Sequence, residues 1–169
     1  MDLGYLHLSL NHIPVIGSVF GFIILFIGIV ARSKAVNRVG LGLLAISAIV
    51  AIPVYLTGET AEEIVEKLPG FSESITGQHE SAAALSLGLA IFSGVLAITA
   101  LLFSRARTEK NPGYLVIATL LLSLLTTTSM VRTANLGGQV RHTEIRSGAQ
   151  NIDTRTPEKG TSEKDGDDD

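Results

Sequence analysis

The stretch IPVIGSVFGFIILFIGIVA, Ile13 to Ala31, contains no Asp, Glu, Lys or Arg. It is about as long as the roughly 20 residues an α-helix needs to cross hydrocarbon. Three further stretches are equally free of charge: Val39 to Thr57, Ser81 to Ser104 and Gly113 to Val131. A helix of a soluble bundle must turn one face to water and carries charge there, whereas here no face carries any. The expected fold is an all-α membrane protein: a four-transmembrane-helix bundle with a short outer amphipathic helix and a disordered C-terminal tail. Helices are expected at about 13–31, 39–57, 81–104 and 113–134, within a domain covering 1–147. The mean hydropathy of +0.40 is modest only because a polar loop and tail dilute it. The 46% hydrophobic content is concentrated in the four segments.

Basic residues set the expected orientation. The loop after the first segment carries Arg32, Lys34 and Arg38, and the loop after the third carries Arg105, Arg107 and Lys110. The loop between the second and third has only Lys67 among several acids. Short basic loops stay in the cytoplasm, so both termini are expected on the outer, periplasmic side of a bacterial inner membrane. The segment Met1 to His12 has no Lys or Arg, which neither opposes its export nor resembles the basic start of a cleaved signal peptide. Tyr5 and Tyr55 then fall at the outer interface and Tyr114 at the inner one. The tail from 148 to 169 is nearly devoid of apolar residues and ends in Asp165, Gly166, Asp167, Asp168 and Asp169. It is read as a solvated extension.

With no cysteine there is no disulfide, no thiolate metal site, no iron–sulfur cluster and no covalently attached c-type haem. The chain also lacks a phosphate-binding glycine loop, H-E-x-x-H and G-x-S-x-G, so no independent catalytic activity is expected. It is shorter than a transporter built of inverted repeats, and its segments hold no buried charge to line a substrate or proton path. No nucleic-acid partner is expected.

Starting at His79 and stepping by four and three gives Ala83, Ser86, Ala90, Ser93, Ala97, Ala100 and Ser104, a line of small side chains on one face of the third helix. Lipid supplies no hydrophobic drive between helices, so close contact through small residues holds such bundles together. The first helix offers Gly17, Gly21 and Gly28, and the fourth Thr119, Ser123, Thr126 and Thr133. Plain packing accounts for both, and leaves open why the third seam begins at a histidine. In the loop before it, Thr60 and Glu63 form a capping-box pattern opening a short helix with an apolar edge of Ile64, Val65 and Leu68, ended by Pro69 and Gly70. This helix is expected over the outer ends of the bundle, with a lid on the histidines as the sharper reading.

All four histidines, His7, His12, His79 and His142, fall at the ends of apolar segments on one side of the membrane. The order of motifs around them carries a resemblance. His7, four residues, His12, one residue and Pro14 precede the first helix; Thr57 and Gly58 close the second; His79 opens the third; Gly137 and Gly138 with a following His come after the fourth. Together these resemble a bacterial four-helix membrane family known as a domain of unknown function, over about the first 145 residues. Its members carry a longer spacing and a His-Gly pair after the double glycine, whereas this chain reads Gly137, Gly138, Gln139, Val140, Arg141, His142. The resemblance implies an integral membrane protein with haem as a candidate cofactor and no established activity.

Three readings of the histidines stay open. A b-type haem needs two axial imidazoles and small residues where the porphyrin meets backbone. His12 and His79 are the expected ligands, with His7, His142 and Arg141 orienting them or bonding the propionates. His7 and His12 would point about 140° apart on one regular helix, so they are not expected on the same iron. A copper or zinc site would draw on His7, His12, His79, Glu80 and His142, with Glu144 near the last. Without a cofactor the histidines cap helix ends, and the protein is a scaffold or small subunit. Expected partners are membrane lipid and a larger membrane redox complex or a second copy of the chain.

The topology has a direct test, because the chain has no native cysteine. A single cysteine replacing Ser72 is expected to react with an impermeant thiol reagent in intact cells, and one replacing Ser33 is not. Labelling at Ser33 alone inverts the topology.

Overall fold

The computed structural model describes residues 3–105 and 113–146. The tail 148–169, Arg107 and Lys110 lie outside the described residues. The chain forms α1 (Leu3–Leu10), α2 (His12–Val30), α3 (Lys34–Leu56), α4 (Gly58–Val65), α5 (Glu73–Arg105), α6 (Gly113–Arg141) and a 3-10 turn at Thr143–Ile145. Four stretches are long and apolar enough to cross a membrane: Leu3–Val30, Lys34–Leu56, Glu73–Ser104 and Gly113–Arg141. The long helices stand in a ring in the order α2, α3, α5, α6, each packed on two neighbours.

The packing is inverted relative to a soluble bundle. The largest fully buried side chains are Leu25, Leu41, Thr119, Ser18, Ser86, Ser93 and Ser123, whereas Phe20, Phe26, Phe92, Phe103, Leu121 and Leu125 face outward. Hydrocarbon rewards no burial of Leu or Phe, so the interior goes to residues that let backbones approach. A Cβ on Gly40 would stand 2.6 Å from Leu25 N, and one on Gly28 would stand 2.7 Å from Asn37 N. At these two crossings of α2 and α3 only glycine fits. The α5 seam behaves likewise: Ser86, Ala90, Ser93, Ala97 and Ala100 are buried, and a Cβ on Gly94 would overlap Ala48.

The buried hydroxyls bond mainly within their own helices. Ser18 donates to Val15 O, Ser47 to Leu43 O, Thr119 to Leu115 O and Ser123 to Leu120 O. Others cross between helices: Thr126 Oγ1 donates to Leu89 O at 3.2 Å, Thr127 Oγ1 to Ser18 O at 3.1 Å, and Ser86 Oγ bonds Ser129 Oγ and Thr133 Oγ1 at 2.7 and 2.8 Å. At the end away from the histidines, Arg38 donates to Ser104 O at 2.7 Å, tying α3 to the last turns of α5.

The helices run further than the apolar stretches. The amino-terminal segment forms α1, broken from α2 at Asn11, and Pro14 sits in the first turn of α2, where its missing N–H costs little. The third long helix begins at Glu73 rather than about 81, and the fourth continues to Arg141 rather than about 134. Loss of hydropathy ends a span but does not end a helix, because the residues beyond it still satisfy their backbone groups helically. Gly137 and Gly138 consequently lie inside α6 and not after it. The Thr60–Glu63 capping box does not form: α4 starts at Gly58, so Thr60 is already inside it. Its apolar edge rests on α1, where a Cβ on Gly4 would overlap Ile64 and come 3.5 Å from Ala61 Cα.

Ala90→Leu is expected to destabilise the protein by about 1 to 3 kcal/mol, since extra bulk in a close-packed contact forces backbone shifts. Ala90 is 3% exposed and Phe92 is 69% exposed, so Phe92→Ala is expected to be tolerated. Thermal unfolding in detergent compares them, and equal effects would mean that the seam is not a packing contact.

Candidate functional site: a histidine pair held by backbone carbonyls

α3 ends at Leu56, and the last carbonyls of a helix have no partner within it. Thr57 Oγ1 turns back onto Pro53 O and Val54 O at 2.8 and 3.0 Å. Val54 O also receives His7 Nδ1 from α1 at 2.8 Å. A carbonyl only accepts, so in the neutral ring His7 Nδ1 carries the proton and Nε2 keeps its lone pair. Gly58 lies beside the ring, where a Cβ would stand 3.7 Å from His7 Cε1.

His79 repeats the arrangement against α6. Its Nδ1 donates to Thr133 O of α6 at 3.0 Å, which again leaves Nε2 unprotonated. A Cβ on a helix leans toward the helix N-terminus, so a side chain at 137 would lean over the turn that holds Thr133. A Cβ on Gly137 would stand 3.0 Å from His79 Cε1 and 3.3 Å from Nδ1. Glycine there admits the ring. Thr133 also ties this anchor to the interior through its hydroxyl bond to Ser86.

His7 and His79 are both half-buried, and close enough for the charge on one to act on the other. His12 is different. It is exposed, and it lies about 200° around α2 from Pro14, on the side opposite the buried stripe of Pro14, Ser18, Gly21, Leu25 and Gly28. The arrangement therefore brings His7, and not His12, toward His79. His142 is exposed and bonds the Glu144 carboxylate at 2.8 Å, and Arg141 is exposed. Glu144's own backbone N–H and then His142 hold its carboxyl below the usual range. All four histidines are at the expected end of the bundle, but only two share a locality.

Sequence reasoning did not find the anchoring carbonyls, which no side-chain pattern announces. The signals were Thr57, Gly58 and Gly137, quoted as landmarks without a reason. Each lies against one of the two rings or its anchor. Among the described residues no three His, Asp or Glu side chains are grouped to hold a metal ion, so Glu80 joins no such set.

Glu80 instead faces Glu62 of α4. A hydrogen bond to Glu80, which only protonated Glu62 can donate, raises the Glu62 pKa from 4.5 to about 7, with burial and the charges of Glu80, Glu66 and Glu59 adding to the effect. Between those two values the folded chain keeps a proton that the unfolded chain has lost. The stability from this contact is thus present in acid and lost as pH rises through about 7. The melting temperature of the wild type is expected to fall more steeply than that of Glu80→Gln from about pH 5 to pH 8. Parallel curves would show that the two carboxyls do not share a proton.

No curated protein and no solved structure matches this chain. A family model described as "Predicted membrane protein (DUF2231)" matches residues 5–145, which take in all four long helices and both histidine anchors. The chain belongs to that family of membrane proteins.

Proposed function

We propose that this protein is a b-type-haem electron-transfer subunit of the bacterial inner membrane, with His7 and His79 as the axial pair at the outer face. The observation that carries the reading is the matched orientation of the two rings: each Nδ1–H is given to a backbone carbonyl, of Val54 and of Thr133, and each Nε2 is left basic. Ligating histidines are fixed in this way, the second nitrogen setting tautomer and ring direction.

The donor set suits haem better than a bare ion. Zinc and copper sites draw three or four protein ligands, and no such group occurs among the described residues. A porphyrin brings its own four nitrogens, so two imidazoles complete the coordination. When bound, the group supplies a one-electron iron couple. The chain's own residues hold the imidazoles: the C-terminal carbonyls of α3 fix one, α6 fixes the other, and the small residues of α5 below His79 keep bulk away. Position near the outer face suits exchange with quinol at the interface or with an exported carrier, and any catalysis belongs to a partner complex.

The test is expression with ample haem, followed by reduced-minus-oxidised spectra. Wild type and His12→Ala are expected to show a haem band, and His7→Ala and His79→Ala to lose most of it while remaining folded. A colourless, folded wild type overturns the proposal. Stoichiometric copper or zinc in that protein would move the assignment to an ion, and neither would leave a scaffold.

A further inference from the structure

Between the four long helices, on the inner side of Pro14 and Met130, lies a cavity of about 10 Å³, about the size at which one water fits. α2 contributes Pro14 and Ser18, α3 Ser47, α5 Ser93, and α6 Thr126 and Met130. Ser93 is 2% exposed, and its hydroxyl oxygen has no hydrogen-bond partner among the described residues. The other buried Ser and Thr hydroxyls of the described residues all have one: those of Ser18, Ser47, Thr57, Thr76, Ser86, Thr119, Ser123 and Thr126.

Ser93 departs from the usual pattern of a helical serine. A helical serine ordinarily returns its proton to the carbonyl three or four residues earlier, which for Ser93 is Ala90 O or Leu89 O. The Leu89 carbonyl already serves the helix, and it also accepts Thr126 Oγ1 from α6 at 3.2 Å. Thr126 Oγ1 is nearer to Leu122 O, at 2.9 Å, so Leu89 O is its second acceptor, and the Ser93 hydroxyl bonds neither Leu89 O nor Ala90 O. Ser93 is left with a donor inside a medium where an unmade hydrogen bond is costly.

We propose that this cavity is a binding site for one structural water, held by Ser93. The chemistry of the lining completes its bonds. Ser93 donates to the water oxygen. The hydroxyls of Ser18 and Ser47 have spent their protons on Val15 O and Leu43 O, so their oxygens are acceptors for the two hydrogens of the water. Buried waters typically make about three hydrogen bonds, and this site offers that number. The water joins α5 to α2 and α3 by polar bonds, beside those that Thr126 and Thr127 of α6 make to Leu89 O of α5 and Ser18 O of α2.

A structure of the full chain in a lipidic phase, at a resolution that shows ordered water, is expected to contain one isolated peak within hydrogen-bonding distance of Ser93 Oγ, and Ser93→Ala is expected to lose it. Thermal unfolding gives a second readout. If the water is present, Ser93→Ala melts below Ser123→Ala, which makes the same change in helix propensity but removes only a bond within its own helix. No peak in the wild type, or a Ser93→Ala variant melting above Ser123→Ala, overturns the proposal, since deleting an unpaired hydroxyl from a dry cavity is stabilising.

Discussion

In hydrocarbon, Leu or Phe gains nothing by leaving lipid for the protein interior, so this bundle rests on the close approach of backbones across small residues. The crossing of α2 and α3 at Gly28 and Gly40 and the α5 seam from Ser86 to Ala100 are that contact. Everything at the histidine end depends on it. With α3, α5 and α6 drawn together, the end of α3 and the flank of α6 become fixed surfaces whose carbonyls can hold a ring. The polar interior follows from the same constraint: hydroxyls are small, and a helix supplies them with acceptors one turn back.

Much of this was legible in the chain. Four charge-free stretches define the spans, since hydropathy reports transfer into lipid directly, and the line that starts at His79 is buried from Ser86 to Ala100 as its spacing requires, with its ends half-exposed. The ends were less legible, because hydropathy falls before helices stop. Glu73 to Glu80 and Arg132 to Arg141 are polar yet helical. The capping pattern at Thr60 and Glu63 misled for a related reason: α4 had already begun at Gly58.

The histidines were legible as a cluster at one end and illegible as a pair. Spacing set His12 beside the glycines of the first helix, but the direction of a ring depends on which face of α2 packs inward, and His12 lies on the other one. His7 gains its place from α1, a short helix whose sequence LGYLHLSL gives little periodic signal, and from a carbonyl that is free only because α3 ends there. Backbone acceptors are present at every residue, so their use follows from tertiary structure alone. The glycines were the readable trace. Gly137 is needed because His79 lies where its side chain would be, and Gly58 abuts His7.

The fixed tautomer of the two rings is the centre of this account, and nitrogen NMR of histidine-labelled protein in lipid, with His7 and His79 assigned by substitution, measures it directly. The account predicts a proton on Nδ1 and a bare Nε2 for both residues in the neutral state, while His12 shows the averaged behaviour of an exposed imidazole. A proton resident on Nε2 of either His7 or His79, or averaging there like that of His12, would contradict it.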